Sequence, residues 1–406
     1  MRILYIAYSC DPFNGSEDQI GWNIPIESEK QGNEVYILTK KDHEKVITEF
    51  LKTNNNISVK VSYIDVPKIV KKICKRILYS MRIILWQRRA LRFAKKIVQK
   101  EQIQIIHQIG PMEFRAIGNY GKLNTKYILG PIGGGFPIPK PLNEYAKGHF
   151  FAETTRKVLN CFSLICLKVS SKIQHCDYVL FCNEETKSIF DKYGIRVDEN
   201  KWEYHCEIGI PEEKIGLQQS AHDGTIILLP GRIVYRKGLR LLFDAIPRDV
   251  DSCYKIMIAG DGPLKGELEE FISNDVFLRD HVEFLGRIPF YDMIHVYSES
   301  DAVVSTSLSE GTGSVLLESL AMGKPIITSR HFGAKVFFDD SAVWFFNGNS
   351  KNELVNDLTR CLRECILDYN SRNKKSKNAL LIAQKYTWSS RVKQLNQIYN
   401  KVLNEQ

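Results

Sequence analysis

Residues 302–329 constrain the fold more than any other stretch of this chain, because they read as strand, loop, helix and strand in immediate succession. The apolar run at 302–304 is of the kind that a fully covered parallel strand carries. Gly311 and Gly313 then interrupt every periodicity and form a loop. The pattern predicts a helix that begins at about residue 314 and ends at about 322.

The end of this predicted helix is marked as clearly as its start. Leu316 and Leu320 lie four residues apart and therefore share one face of the helix. Gly323 stands where a left-handed C-cap belongs, and Pro325 forbids continuation of the helix. A second buried strand follows at 325–327, so the chain is predicted to be an α/β protein with parallel sheets.

This arrangement places Glu310 and the loop 311–314 at the carboxyl end of a strand, beneath the start of a helix. Ligands of open α/β sheets bind at such strand ends. The free N–H groups of the first helical turn suit a phosphate, and glycines let the backbone approach it. The carboxylates of Glu310 and Glu318 would repel a bare phosphate but suit neighbouring hydroxyl groups. The expected ligand therefore carries phosphates and sugars together.

Glu310 and Glu318, with seven residues between them and Ala-Met-Gly-Lys-Pro-Ile-Ile following, resemble the signature of retaining glycosyltransferases of family 4. That resemblance implies the GT-B fold, in which two Rossmann-like doubly wound domains face each other across a cleft and a C-terminal helix crosses back to the first domain. It assigns Glu310 to hydroxyls of the transferred sugar and Glu318 to the nucleotide ribose. The alternative is an ordinary βαβ unit with two solvated glutamates.

The resemblance extends to the predicted strand at 225–229 and to Arg232 and Lys237 after it. A guanidinium and an ammonium at a strand end can clamp a diphosphate, although two surface cations are the plainer interpretation. Thr312 departs from the family, which often has an aromatic or other apolar residue there. The implied donor-binding residues are Gly231, Arg232, Lys237, Ile288, Glu310, Gly311, Thr312, Gly313, Ser314, Val315 and Glu318.

Residues of the first half of the chain are expected to face the acceptor. His107 lies near the exit of a predicted strand at 103–109, where a ligand crevice is expected. The alternative is a histidine whose ring is satisfied by backbone groups. Gly15 and Ser16 occupy a strand-to-helix turn, which either faces the cleft or is a plain turn. Gly133, Gly134 and Gly135 form a glycine loop after another strand. With Glu310, Arg232 and Lys237, His107 completes the set of candidate catalytic residues.

The resemblance also implies the reaction. A nucleoside-diphosphate sugar is the expected donor, and the acceptor hydroxyl approaches on the face from which the diphosphate leaves. The sequence suggests no protein nucleophile, and the family is usually assigned a path in which the donor phosphate accepts the acceptor proton. We expect neither a cofactor nor a metal, since the chain shows no Asp-x-Asp motif on a clear metal-binding loop.

The chain of 406 residues fits two domains. We predict a first domain at 1–208, joined by the C-terminal helix at 386–406, and a donor domain at 209–385. The ten cysteines form no C-x-x-C pair and suit a cytosolic protein with reduced thiols. No run reaches the roughly 18 apolar residues of a spanning helix. We therefore expect a cytoplasmic protein, peripheral at the inner face of the cell membrane.

The positive charge is concentrated in one segment. Residues 68–100 contain twelve Lys and Arg and no Asp or Glu, and without them 44 basic residues face 47 acidic ones. Apolar residues recur there at helical spacing, and Trp86 is among them. The segment suits an anionic membrane surface, or else it is a domain helix with a solvated polar face. The absence of a recognition motif or interleaved aromatics disfavours nucleic acid.

The sequence thus favours a bacterial glycosyltransferase that adds a sugar to a glycan or a polyprenyl-diphosphate-linked saccharide in cell-surface polysaccharide biosynthesis. Two alternatives stay open. One is a nucleotide-sugar epimerase with the same fold, and the other is a noncatalytic protein that binds nucleotide sugars or acts as a scaffold. The apolar, helical stretch at 150–173 is interpreted as buried, or as sharing a membrane face with residues 68–100.

Overall fold

The computed structural model describes residues 1–15, 17–74, 79–216, 222–289 and 292–405. They form two compact units. The first unit contains Met1–Phe136, Arg156–Gly209 and Trp388–Gln406, and the second contains Pro137–Thr155 and Ile210–Thr387.

The first unit is built on seven parallel strands in the order β3-β2-β1-β4-β5-β6-β7. The central strands are largely buried and apolar on both faces, as a parallel sheet covered by helices requires. The strands are β1 (Arg2–Ile6), β2 (Glu34–Lys40), β3 (Lys60–Ile64), β4 (Ile105–Gln108), β5 (Lys126–Ile132), β6 (Tyr178–Phe181) and β7 (Trp202–Tyr204).

Helices alternate with these strands. The last one packs with the first unit, where the hydroxyl of Tyr399 meets that of Tyr5 at 3.1 Å. The helices are α1 (Glu17–Lys30), α2 (Glu44–Thr53), α3 (Lys68–Ile73), α4 (Tyr79–Glu101), α5 (Phe150–Ser170), α6 (Glu184–Lys192) and, at the end of the chain, α15 (Trp388–Asn404).

The second unit repeats the design with six parallel strands in the order β10-β9-β8-β11-β12-β13. Its strands are β8 (Thr225–Pro230), β9 (Tyr254–Ala259), β10 (Val282–Gly286), β11 (Ala302–Ser305), β12 (Ile326–Ser329) and β13 (Val343–Phe346). Its helices are α7 (Leu239–Ala245), α8 (Lys265–Ser273), α9 (Val276–His281), α10 (Met293–Ser298), α11 (Ser314–Ala321), α12 (Phe332–Phe337), α13 (Lys351–Leu367) and α14 (Tyr369–Gln384).

Both sheets therefore have the doubly wound strand order, which reverses between β1 and β4 in one and between β8 and β11 in the other. The predicted α/β class is confirmed. The predicted strand-loop-helix-strand at 302–329 is confirmed as β11, α11 and β12, and Gly323 has the left-handed φ of +67° that a C-cap needs.

The structure places one segment differently from the predicted domain division. Pro137–Thr155 lies inside the predicted first domain but packs with the second unit. Ile138, Leu142 and Ala146 are buried in the core of that unit. Apolar burial against residues far away in sequence decides this assignment, and local sequence carries no sign of it.

The described residues of the basic segment include α3 and α4, while residues 75–78 of that segment lie outside the description. Trp86 does not lie on an exposed apolar face, because it is buried in the core and donates a hydrogen bond from Nε1 to the Ile64 carbonyl at 3.2 Å. The interpretation of Trp86 as part of a membrane face was wrong, since this indole covers the first sheet. Among the described residues, no helix combines the length and the apolar character needed to cross a membrane.

Candidate functional site

Two loops meet where the strand order of the second sheet reverses. The loop after β11 is joined to the loop after β8 by a hydrogen bond from Thr306 Oγ1 to the Lys237 carbonyl (2.9 Å). The Leu308 N–H also donates to the Arg236 carbonyl (2.7 Å). Gly238 makes this contact possible, because its φ is +63° and a Cβ there would lie 2.2 Å from the Thr306 carbonyl oxygen. The two loops therefore form one continuous surface at the carboxyl edge of the sheet.

This surface brings together two of the predicted catalytic residues. Lys237 Nζ and a carboxylate oxygen of Glu310 form a close ion pair, and Ser307 Oγ donates to the same oxygen at 3.3 Å. The side chains of Lys237 and Glu310 keep 25% and 29% of their surface exposed. Arg232 is exposed on the same loop as Lys237, after Gly231, whose φ is +131°. The pair is both charged and accessible.

Helix α11 begins beside the ion pair. Gly313 stands at its N-cap with a φ of +88°, and a Cβ there would lie 3.3 Å from Glu310 Cγ. Gly313 offers no side chain to cap the helix, and the first amides, at Ser314 and Val315, form the positive end of the helix dipole. An anion at this position would meet both the helix start and the Lys237 ammonium.

Thr312, one of the implied donor-binding residues, is held by its neighbours in the second unit. Its side chain is buried, and a Cβ at Gly333 would lie 2.3 Å from Thr312 Oγ1. The Gly311 carbonyl accepts a hydrogen bond from the Gly333 N–H at 3.0 Å. Thr312 therefore packs against the start of α12, and the backbone of the loop rather than this side chain faces the surface.

Glu318 lies in a separate pocket of about 140 Å³ between α10 and α11. Tyr297 donates a hydrogen bond from its hydroxyl to Glu318 Oε2 at 3.3 Å. Burial raises the pKa of Glu318, while the charge of Lys214 and the bond from Tyr297 act in the opposite direction. The pocket is lined by Ile210, Lys214, Met293, Ile294, Tyr297, Glu318, Ala321 and Met322.

Two apolar residues of the implied donor-binding set also lie near this pocket. Ile288 and Val315 are half-buried against the apolar cluster that contains Tyr297 and Met322. Sequence reasoning missed Tyr297 and Lys214. Helix α10, which carries Tyr297, has six residues, too few for a periodic pattern to assign one side to a ligand.

The structure corrects the prediction for His107. The ring is fully buried in the first unit, with Nδ1 2.7 Å from the Tyr399 hydroxyl and Nε2 2.8 Å from the Gly130 carbonyl oxygen. Burial lowers the pKa of His107 to about 3, although the contact with Gly130 acts in the opposite direction. Both ring nitrogens are satisfied internally, so His107 is a structural residue and not one that meets a ligand.

The glycine loop after β5 is also explained by packing. Gly134 and Gly135 have φ values of +90° and +89°. A Cβ at Gly133 would lie 2.5 Å from Cys182 Sγ, and one at Gly135 would lie 3.0 Å from the Phe114 ring. These glycines are needed whether or not a ligand approaches them. Of the other loop predicted to face the acceptor, Gly15 is half-buried after β1, and Ser16 lies outside the described residues.

Comparison with known proteins gives a family match over part of the chain. Residues 212–381 match the family model for glycosyl transferases group 1. Two uncharacterized glycosyltransferases of Methanocaldococcus jannaschii are similar in sequence. One is 27% identical over 243 residues, which cover 58% of this chain and 59% of the relative. The other is 26% identical over 317 residues, which cover 77% of this chain and 80% of the relative. The chain thus spans less than two thirds of the first relative's length.

The fold is shared with solved structures over the whole chain. Anabaena HepE, in a crystal structure with UDP, superposes with a TM-score of 0.63 at 15% identity, covering 99% of this chain and 100% of HepE. Together with the two parallel sheets, this likeness identifies the GT-B fold. The family match and the relatives support a transferase.

Proposed function

We propose that this chain is a retaining glycosyltransferase that moves a sugar from a nucleoside-diphosphate sugar to a glycan or lipid-linked saccharide. The observation that carries the proposal is the ion pair of Lys237 and Glu310 at the start of α11, where the strand order of the second sheet reverses. A cation, a carboxylate and a helix N-terminus at one strand edge match a ligand that carries both a diphosphate and a sugar.

The leaving diphosphate is the first group that the site stabilises. In the proposed complex, Arg232, Lys237 and the amides at Ser314 and Val315 stabilise the negative charge that develops on the diphosphate. In the unliganded protein the Glu310 carboxylate is ion-paired with the Lys237 ammonium. When the diphosphate takes over the ammonium, the Glu310 carboxylate becomes available to hydroxyls of the transferred sugar.

Glu318 holds the nucleoside in this proposal. Its carboxylate lies in the pocket between α10 and α11 and is oriented by the hydroxyl of Tyr297. A ribose donates hydroxyl hydrogen bonds to a carboxylate, and the apolar side chains of Met293 and Met322 offer contact to a base. Placing the nucleoside and the diphosphate on adjacent parts of α11 accounts for the spacing of the two glutamates.

Transfer with retention then follows a front-face path. The bond from the anomeric carbon to the diphosphate breaks as the acceptor oxygen approaches on the same face, and the acceptor proton passes to the departing phosphate oxygen. His107 takes no part, since its nitrogens are bonded within the first unit. Besides the donor and the acceptor, the proposed reaction needs neither a cofactor nor a metal.

The acceptor belongs to the proposal as well. We place the reaction in cell-surface polysaccharide biosynthesis, in the cytoplasm at the inner face of a bacterial membrane, with a polyprenyl-diphosphate-linked saccharide as one form of acceptor. The exposed cations Arg88, Arg89, Arg92, Lys95 and Lys96 of α4 support an anionic membrane partner for the segment 68–100.

The first test is a thermal-shift comparison with UDP, GDP, ADP, CMP and their common sugar conjugates. One nucleoside diphosphate should stabilise the protein selectively, and Arg232→Ala should lose that stabilisation. Arg236→Ala, which removes an exposed cation from the same loop, is the control and should retain it. No shift with any nucleotide would contradict the proposal. Release of free nucleoside diphosphate and a glycosylated acceptor, rather than an epimerised donor, would exclude the epimerase alternative.

A further inference from the structure

Helix α5 exposes a continuous apolar stripe in its first-unit part. Val158, Phe162, Ile165 and Val169 follow one another at intervals of four, three and four residues, so they lie along one side of the helix. Their exposed fractions are 62%, 66%, 50% and 79%. We call these four residues the α5 stripe.

The inner side of this helix is already packed. Leu164 and Leu167 are buried in the core of the first unit, together with Trp86 of α4. The apolar residues of the α5 stripe are therefore additional to those that the fold needs. Single exposed apolar residues are ordinary, but a contiguous stripe of large ones marks an interaction surface.

The charged residues in the stretch of sequence that carries the α5 stripe have one sign. From 156 to 172 the sequence has four cations, Arg156, Lys157, Lys168 and Lys172, and no Asp or Glu. Helix α4 adds cations at the same place. Trp86 of α4 packs in the same core cluster as Leu164 and Leu167 of α5. The α5 stripe and the cations of α4 thus belong to one region of the first unit.

We propose that the α5 stripe docks on an anionic lipid bilayer, with its apolar side chains inserted and the surrounding Lys and Arg on the headgroups. An apolar side flanked by cations is the pattern of a helix that lies in a membrane interface. A second copy of this chain fits less well, because pairing two α5 helices would bring the cations of both copies close together. The proposal does not depend on glycosyl transfer, since vesicle binding requires neither donor nor acceptor.

The proposal assigns the two helices different parts. Cations of α4 contribute electrostatic attraction, while the apolar insertion that residues 68–100 were expected to supply comes from α5. Binding should therefore depend on both anionic lipid and the α5 stripe, and it should weaken as salt screens the headgroups.

Cosedimentation of the full chain with lipid vesicles tests this. Wild type should bind vesicles of phosphatidylcholine with about a third phosphatidylglycerol at low salt. Its partitioning onto vesicles of pure phosphatidylcholine should be at least about tenfold lower. Phe162→Ser combined with Ile165→Ser should lower partitioning on the anionic vesicles at least about tenfold. The control is Leu367→Ser combined with Leu381→Ser, which removes equally exposed apolar side chains from α13 and α14 and should bind like wild type.

The charge contribution is tested separately with Lys157→Gln combined with Lys168→Gln. Because the cations of α4 remain, this variant should lose part of the preference for anionic vesicles, with an unchanged thermal melting curve. Equal vesicle binding by wild type and the Phe162/Ile165 variant would overturn the proposal. Failure of wild type to bind the anionic vesicles would also overturn it. A dimer in light scattering that the same variant dissociates would then show that a second copy covers the α5 stripe.

Discussion

The two sheets have the same strand order up to the sixth strand, yet their reversal points differ in chemistry. In the second sheet, Lys237 and Glu310 stand at the strand edge as a partly exposed ion pair. In the first sheet, His107 of β4 is fully buried and bonded on both nitrogens. The loop after β1 is likewise closed on itself, with Asp11 accepting hydrogen bonds from the Phe13 N–H (2.9 Å) and the Asn14 side chain (3.0 Å).

This difference shows that strand order determines where a ligand site can form, while loop residues determine whether one does. At the first reversal point, the His107 ring and the Asp11 carboxylate are hydrogen-bonded within the first unit. At the second, the positive-φ glycines at 231, 238 and 313 keep side chains away from the backbone and leave charges accessible. Four substitutions, in order of decreasing expected effect, test this contrast.

Lys237→Met should have the largest effect, because it removes the cation on which both the diphosphate and Glu310 depend. We expect the rate of sugar transfer to fall about 10²–10³-fold. Arg236→Met, one residue earlier and exposed, should change the rate less than about threefold, as surface substitutions usually do. Steady-state kinetics with the donor identified by thermal shift measure both. Similar losses in the two variants would mean that the charge of the loop as a whole, and not the Lys237–Glu310 pair, matters.

Gly238→Ala should destabilise the second unit, since it combines a left-handed backbone with a Cβ 2.2 Å from the Thr306 carbonyl oxygen. We expect a loss of about 2–4 kcal/mol in the free energy of unfolding. Gly216→Ala is the matched control in the same unit, because its φ is +83° but no atom lies within 4 Å of the added Cβ. The control should cost about 1–2 kcal/mol. If denaturant unfolding gives equal losses, the close approach of the two loops is not what requires Gly238.

His107→Phe should lower the free energy of unfolding by about 1–3 kcal/mol, because the Gly130 carbonyl loses its partner in a buried site. The rate of sugar transfer by the folded protein should stay within a few-fold of wild type. A large loss of transfer at unchanged stability would restore His107 as a catalytic residue.

The same variant has a signature in pH. With its pKa lowered from 6.5 to about 3, His107 contributes stability that is complete above pH 6.5 and is lost as the pH falls toward 3. The free energy of unfolding of His107→Phe should therefore decrease less than that of wild type as the pH falls from 6.5 to about 3. Equal losses would mean that the ring is not held neutral by the fold.

Tyr297→Phe should have the smallest effect, because it removes one hydrogen bond to Glu318. Affinity for the nucleoside-diphosphate sugar should fall about 3–10-fold. The ionised form of Glu318 accepts from the ribose, and burial raises its pKa, so affinity should decrease as the pH is lowered, beginning above the usual glutamate value of 4.5. In Tyr297→Phe this decrease should begin at higher pH.

Calorimetric titration between pH 8 and pH 5 measures the Tyr297 prediction. A nucleoside-diphosphate sugar is the right ligand, because a free terminal phosphate titrates near pH 6 and would add its own dependence. Glu318→Gln is the control and should bind weakly with little change across this range. A pH dependence that persists in Glu318→Gln would assign the titration to another group.

The sequence predicted the strand-loop-helix-strand at 302–329 because glycine, proline and apolar spacing all act locally there. It could not place His107, since a parallel strand that is apolar on both faces gives no sign of which side meets a ligand. The burial of Trp86 in the core could not be predicted for a similar reason. A helical pattern shows that one side is apolar, but not whether the core or the solvent receives it, and α5 is apolar on both sides.

The segment Pro137–Thr155 determines how this protein can be divided. Besides its buried apolar residues, it supports the loop that carries Lys237. Glu153 accepts a hydrogen bond from the Tyr235 hydroxyl at 2.7 Å, and His149 stacks on the Tyr235 ring at 4.0 Å. A donor-binding fragment cut at residue 210 would therefore expose part of its own core and lose the support of its cation loop. Chimeras meant to exchange donor specificity between relatives need to transfer these nineteen residues along with the C-terminal half, although they are encoded within the other half of the chain.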